Sequence, residues 1–242
     1  MNKREIKDIL HFRRDIPPFL VHLTRKNKAK NNSAKDNLIK ILDSKTLIQS
    51  QELISDIRFG GDCRKIDNAH EFLSSICVTE TPLESIHCLI DIQGRKVNLE
   101  SYGIVFLKEN LKKENFSPVL YFNNFEKGIV DDILQSLFSI MKNQPDVAKK
   151  FLPLVSTFGN TVKKAGEYDF YWEREWRRPA TYGHFLFDLE KVFCGLCPEE
   201  DIEFFEDKYP GLPFVDPIKP LSWYATKLIQ RRKKLKIDHS VV

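Results

Sequence analysis

The sequence predicts an α+β fold: a single domain with a central mixed or antiparallel sheet flanked by helices. Three observations carry that prediction. Short strand-like runs recur along the chain, helical periodicity is segregated into a few blocks, and the regular strand–helix alternation of a doubly wound sheet is missing. At 242 residues with 42% hydrophobic side chains, the chain can bury one substantial core.

The elements follow in order. PFLVHLT reads as a short buried strand that sets His22 and Thr24 two apart on one face, just ahead of a loop. After the KNKAKNNSAK loop at 26–35, Ser33 with Asp36 has the form of a capping box. Leu38, Ile39, Ile41 and Leu42 supply an apolar stripe, so a helix of about ten residues is predicted there. SSICVTETPL (74–83) is a second strand, stopped by Thr79, Glu80, Thr81 and Pro82. YGIVFLKENL (102–111) and SPVLYFNN (117–124) are the third and fourth. Val130, Ile133, Leu134, Leu137, Phe138 and Met141 recur at helical spacing and predict a helix over 129–142, ending at Asn143 to Pro145. A helical segment interrupted by Pro153 follows, then the strands YDFYWEREWRRP, HFLFDL (184–189) and KVFCG (191–195), the last leading into a helix start at PEED. WYATKLIQRRKKLK closes the chain as a helix, making 222–242 a basic C-terminal helix and tail.

Composition excludes several classes. No run of eighteen apolar residues is present, so no membrane contact is expected; MNKREIKDIL lacks the apolar core of a secretory signal, and a cytoplasmic location is expected. Five cysteines without regular spacing fit a reducing compartment. Cys194 and Cys197 have knuckle spacing but no second pair, so they read as buried thiols and no metal site is assigned. The formal charge of +4 is modest. Basic residues do crowd the two ends: Arg13, Arg14, Arg25, Lys26, Lys28 and Lys30, then Arg231, Arg232, Lys233, Lys234 and Lys236. They either contact phosphate from a shared face or form a solvated tail. The absence of P-loop, Rossmann, zincin and nucleophile-elbow motifs removes support for those chemistries.

What remains is polar residues set inside apolar strands. DFYWEREWRRP (169–179) is the densest case. Strand alternation would point Glu173 and Glu175 to one face and Trp172, Arg174 and Trp176 to the other. Two readings stay open. Arg177 and Arg178 pair with these carboxylates in a network that holds strands together, or the carboxylates line a cleft and one has a raised pKa, as working carboxylates do.

These elements, in this order, resemble a known family. FLVHLTR with its N-L-x-x-I-L helix (Asn37, Leu38, Ile41, Leu42), CVTETPL, YGIVF, SPVLYF and E-x-E-W-R followed by a VFCG strand look like the AbiGi family of bacterial abortive-infection proteins, over roughly residues 18–216. The E-x-E-W-R element and the following strand-glycine are also similar to a larger uncharacterised bacterial family. The opening H-x-T and its helix are similar to the start of the DarT group of ADP-ribosyltransferases. The DarT resemblance implies an ADP-ribosyltransferase-like fold with NAD as substrate. It makes His22 and Thr24 the ribose-holding element, Tyr102 the nicotinamide-side residue and Glu175 the carboxylate at the ribose, with Glu173 assisting deprotonation of the acceptor. It also makes Arg64, in FGGDCRK, the candidate phosphate contact. The acceptor would be nucleic acid or protein. The AbiGi resemblance implies a different role, a non-catalytic partner in a two-gene defence system, bound to a cognate toxin or antitoxin. A third reading is a nucleic-acid-binding domain that uses the basic termini.

Overall fold

A computed structural model of the chain describes residues 15–27, 31–49, 69–92, 98–123, 129–158 and 170–237. In chain order the elements are β1 (Phe19–Leu23), α1 (Ala34–Ser44), β2 (Thr46–Leu47), α2 (Ala69–Leu73), β3 (Ser75–Thr79), β4 (Gly103–Leu107), α3 (Lys108–Lys113), β5 (Ser117–Pro118) and β6 (Leu120–Asn123). There follow α4 (Ile129–Asn143), α5 (Pro145–Phe151), β7 (Val155–Phe158), β8 (Glu175–Pro179), β9 (Phe185–Leu186), β10 (Val192–Leu196), α6 (Ile202–Lys208), β11 (Phe214–Val215) and α7 (Ala225–Lys234). Helices and strands combine as the α+β class requires. Seven strands are hydrogen-bonded in the order β11-β10-β4-β1-β3-β8-β5. The sheet is mixed: β10 and β11 run parallel, whereas β1 is antiparallel to β3 and β4, and β5 is antiparallel to β8. Among the described residues no helix is long and apolar enough to cross a membrane.

The chain divides into two compact units. The first comprises Met1–Thr46, Thr79–Leu111 and Leu186–Val242; the second comprises Leu47–Val78 and Lys112–Phe185.

In the first unit, the capping box predicted at Ser33 is formed. Its hydroxyl accepts from the Asp36 amide while the Asp36 carboxylate accepts from the Ser33 amide, which satisfies donors that the first turn of α1 leaves unpaired. β1 and β4 pair antiparallel from Phe19↔Leu107 to Leu23↔Gly103. β10 lies antiparallel on β4, and β11 pairs it in parallel with Gly195 opposite Phe214. A Cβ at Gly195 would meet the Phe214 ring at 2.0 Å, so the glycine that ends VFCG leaves room for an aromatic ring over the strand. Phe19, Val21, Val105, Phe193 and Val215 fill this core together with Ile86 and Leu89 of a 3₁₀ segment. Each such side chain contributes about 1.5–3 kcal/mol by leaving water.

In the second unit, Leu73 of α2, Leu137 of α4, Ala148 of α5, Leu152 and Val155 form a smaller core. β6 and β7 make a parallel pair with Tyr121 opposite Ser156. SPVLYFNN is two strands rather than one, because Val119 falls between a residue pair bonded to β8 and a run bonded to β7.

Two further expectations are corrected. YGIVFLKENL is a strand only to Leu107; KENLKK, made of strong helix formers, turns into α3. YDFYWEREWRRP is not one strand in its described part. Phe170–Glu173 is a 3₁₀ turn, Arg174 takes the left-handed conformation at φ 48°, and extension begins only at Glu175. The alternation argued for Glu173 and Glu175 therefore does not hold. Trp176 is buried at 8% exposure, while Trp172, expected beside it, is 38% exposed on the turn.

Candidate functional site

Among the described residues, the side chains singled out from the sequence fall into two polar clusters, one in each unit. In the second, β8 alternation places Glu175 and Arg177 on the same side of the strand. Arg177 Nη2 donates to Glu175 Oε2 at 2.5 Å, and Nη1 donates to the carbonyls of Pro153 and Val155 at 3.0 and 3.2 Å. The guanidinium side chain is 4% exposed and the carboxylate 17%. Burial opposes the Arg177 charge, but the adjacent carboxylate outweighs it and holds the group above its ordinary value. The Arg177 Nε is enclosed and makes no hydrogen bond, and the Tyr121 hydroxyl is enclosed beside the Glu175 backbone. Burial first, and then the Glu175 and Glu173 carboxylates, push the Tyr121 phenol above its usual range, against the opposing pull of Arg177. Cys77 of β3 also lies within electrostatic reach of Arg177 and makes a sulfur contact with Ser75 at 3.5 Å.

Both carboxylates read from the sequence bear electrostatically on Tyr121, although they do not share a strand. Arg178 differs from its neighbour. Its donors go to the carbonyls of Glu114, Gly183 and Tyr182, which fixes the turn after β8.

In the first unit, the Thr24 hydroxyl is buried and donates to the Ala34 carbonyl at 2.9 Å and to the Tyr102 carbonyl at 3.2 Å. It ties the end of β1 to the start of α1. The Tyr102 hydroxyl donates to Asp201 Oδ2 at 2.7 Å, and Lys35 Nζ donates to Oδ1 at 2.5 Å. Burial raises the Asp201 carboxyl, yet the hydrogen bonds from Lys35 and Tyr102 bring it below its ordinary value. Burial and the bond to Asp201 push the Tyr102 phenol well above its own. His22 is half-buried on β1, opposite Ile104. Arg64 lies outside the described residues, as do Arg13, Arg14, Lys28 and Lys30.

Thr24 and Tyr102 are therefore joined directly. Glu173 and Glu175 share an electrostatic influence on Tyr121. The sequence reading missed Tyr121, Cys77, Lys35 and Asp201. Asp201 carried a signal, since it closes the PEED helix start, but nothing in the sequence pairs it with Tyr102. Cys194 and Cys197 are buried free thiols, and burial pushes both well above the usual range. Among the described residues no group of three or more His, Cys, Asp or Glu is disposed to hold a metal ion.

Residues 60–187, more than half of the chain, match the family model described as "Putative abortive phage resistance protein AbiGi, antitoxin". The chain belongs to the AbiGi family. No curated protein and no solved structure matches it. Of the elements that carry the resemblance, CVTETPL, YGIVF, SPVLYF and EREWR fall inside the matched region, whereas FLVHLTR and VFCG fall outside it. The DarT resemblance rests on the opening element and gains no support from these matches. The matched region includes the Glu175, Arg177, Tyr121 and Cys77 cluster whole.

Proposed function

We propose that this AbiGi protein is the non-catalytic antitoxin of an abortive-infection system, which binds and neutralises a cognate toxin in the cytoplasm of a phage-challenged bacterium. The family description of the matched region carries this reading. The geometry supports it, because the carboxylate in the densest polar element is committed to a buried guanidinium as a structural ion pair. Exposed Tyr171, Trp172 and Tyr182 in the same unit offer the aromatic side chains that anchor protein interfaces. The test is co-expression with the toxin encoded in the same defence locus. The wild-type chain restores growth and co-purifies with the toxin, and Trp172→Ala with Tyr171→Ala weakens both. A toxin that kills equally with and without the chain rejects the reading.

A second reading is transfer of ADP-ribose from NAD to nucleic acid or protein. In it Glu175 and Glu173 act at the reacting ribose, and His22, Thr24, Tyr102 and Arg64 bind the cofactor. One observation favours it: both carboxylates act electrostatically on the enclosed Tyr121 phenol and raise it. Against it, the Thr24 and Tyr102 hydroxyls already serve the fold. Incubation with NAD labelled in its ADP-ribose portion, plus cell nucleic acid and protein, separates the two readings. Label above background in wild type and lost in Glu175→Gln establishes transfer; equal background in both rejects it.

A further inference from the structure

The C-terminal segment 218–237 carries seven Lys and Arg residues and no carboxylate. The structure sorts five of them into two groups. On the inner face of α7, Arg231 is buried and Lys227 donates to Glu206 at 2.6 Å, while Leu228 and Leu235 pack on the core. On the outer face Thr226, Ile229, Gln230 and Lys233 are exposed at the i, i+3, i+4 and i+7 positions of one helical stripe, with Lys234 and Lys236 exposed beside its end. Trp223, in the 3₁₀ turn that leads into α7, is 64% exposed, and Ile229 is 52% exposed. An indole left largely in water forgoes the free energy of burial, which a solvated basic tail does not. Here the ring is also held in place: Lys219 Nζ lies 5.4 Å from its centroid and is itself fixed 3.2 Å from the Glu199 carboxylate.

The face therefore presents an anchored aromatic ring and, ten residues or about 15 Å further along a helix, a cluster of ammonium groups. That pairing suits a ligand with a flat apolar surface and a repeated negative charge. We propose that the outer face of α7, with Trp223, binds single-stranded nucleic acid: Trp223 stacks on an unpaired base, and Lys233, Lys234 and Lys236 meet the backbone phosphates. Charge complementarity favours this occupant over a folded protein, since the face offers the exposed Lys233, Lys234 and Lys236, one aromatic ring and no broad apolar centre, while the Glu199 carboxylate beside the ring is paired with Lys219. A duplex would use the lysines but leave the indole without a stacking partner.

The experiment measures fluorescence anisotropy of short labelled single-stranded DNA, single-stranded RNA and duplex DNA against the full chain over a salt series. Single strands bind, in a DNA or an RNA arm or both, and affinity falls steeply with salt. Replacing Lys233, Lys234 and Lys236 together by Ala lowers the magnitude of the log–log salt slope by about 2. Trp223→Ala weakens single-strand binding roughly tenfold, and Trp223→Phe restores most of it. All these side chains are exposed, and circular dichroism checks that each variant folds. The proposal is overturned if the wild-type chain binds no oligonucleotide. It is equally overturned if duplex and single strand bind alike with Trp223→Ala silent, or if the face captures phosphatidylserine vesicles or the toxin but no oligonucleotide.

Discussion

Two arginine doublets, Arg177–Arg178 in the second unit and Arg231–Arg232 in the first, look alike in sequence, yet Arg177 and Arg231, both buried, are held in opposite ways. Arg177 sits on a carboxylate. Arg231 has only carbonyls: Nε and Nη2 donate to Val192 at 3.0 and 2.6 Å, Nη1 to Gly211 at 2.9 Å, and Nη2 also to Leu189 and Glu190 at 2.8 and 3.0 Å. The consequence is visible in their protonation. The Glu175 carboxylate holds Arg177 above its ordinary value, whereas burial leaves Arg231 below it. A guanidinium can thus be buried against one full charge or against several dipoles. The first arrangement is brittle because removal of either partner strands the other. The second spreads its loss over carbonyls that can find other donors.

The largest expected effect breaks the brittle arrangement. Arg177→Ala leaves Glu175 partly buried without its counter-ion and should cost about 3–5 kcal/mol, read as a lowered urea midpoint. The double variant Glu175→Leu with Arg177→Met should recover most of that loss, since no charge then remains to be solvated. If the double variant is as unstable as the single one, the pair is not what Arg177→Ala removes. Next in size is Arg231→Ala, which should cost about 2–3 kcal/mol, with Arg231→Lys failing to restore it because an ammonium cannot reproduce a planar fork onto separate carbonyls. Full rescue by lysine would mean that charge alone matters at that position, and the contrast between the two arginines would vanish.

The same contrast explains what could be read from the sequence. Glu175 and Arg177 are two apart in a strand, and period-two alternation brings them together, so their pairing was legible as one of two stated readings. The partners of Arg231 are backbone carbonyls contributed by β10, its lead-in turn and the turn at Gly211, and backbone atoms carry no side-chain signature. Periodicity likewise located α1, α4 and the strands β1, β3, β4 and β10, because each repeats apolar residues at the period of its element. It failed at Tyr171 to Arg174, where the pattern of aromatic and charged residues imitates a strand but one left-handed residue resets the chain direction. It could not supply Asp201 as the partner of Tyr102, which lies 99 residues away. Contacts of that separation depend on the whole topology, not on local pattern.

The smallest expected effect tests a carboxylate-centred cluster that is partly open to solvent, as a foil to the buried pair. Asp201 is held by Lys35 and Tyr102 below its ordinary value, so its contribution to stability is present above the unfolded carboxylate value of about 4 and is lost as pH falls through the lower folded one. Tyr102 shifts the other way. Its phenol is raised, so the folded chain keeps a proton that the unfolded chain releases above about pH 10, and stability should decline with rising pH there. Tyr102→Phe should therefore cost about 1 kcal/mol at neutral pH, the worth of one hydrogen bond. Subtracting its stability curve from that of the wild type should show this cost shrinking as the alkaline limit is approached, because the deprotonating phenol loses its advantage. Lys35 remains in place, so much of the acid-side loss should persist in the variant. A difference curve that is flat from pH 5 to above about pH 10 would mean that the Tyr102 hydroxyl does not depend on Asp201 for its place in the first unit.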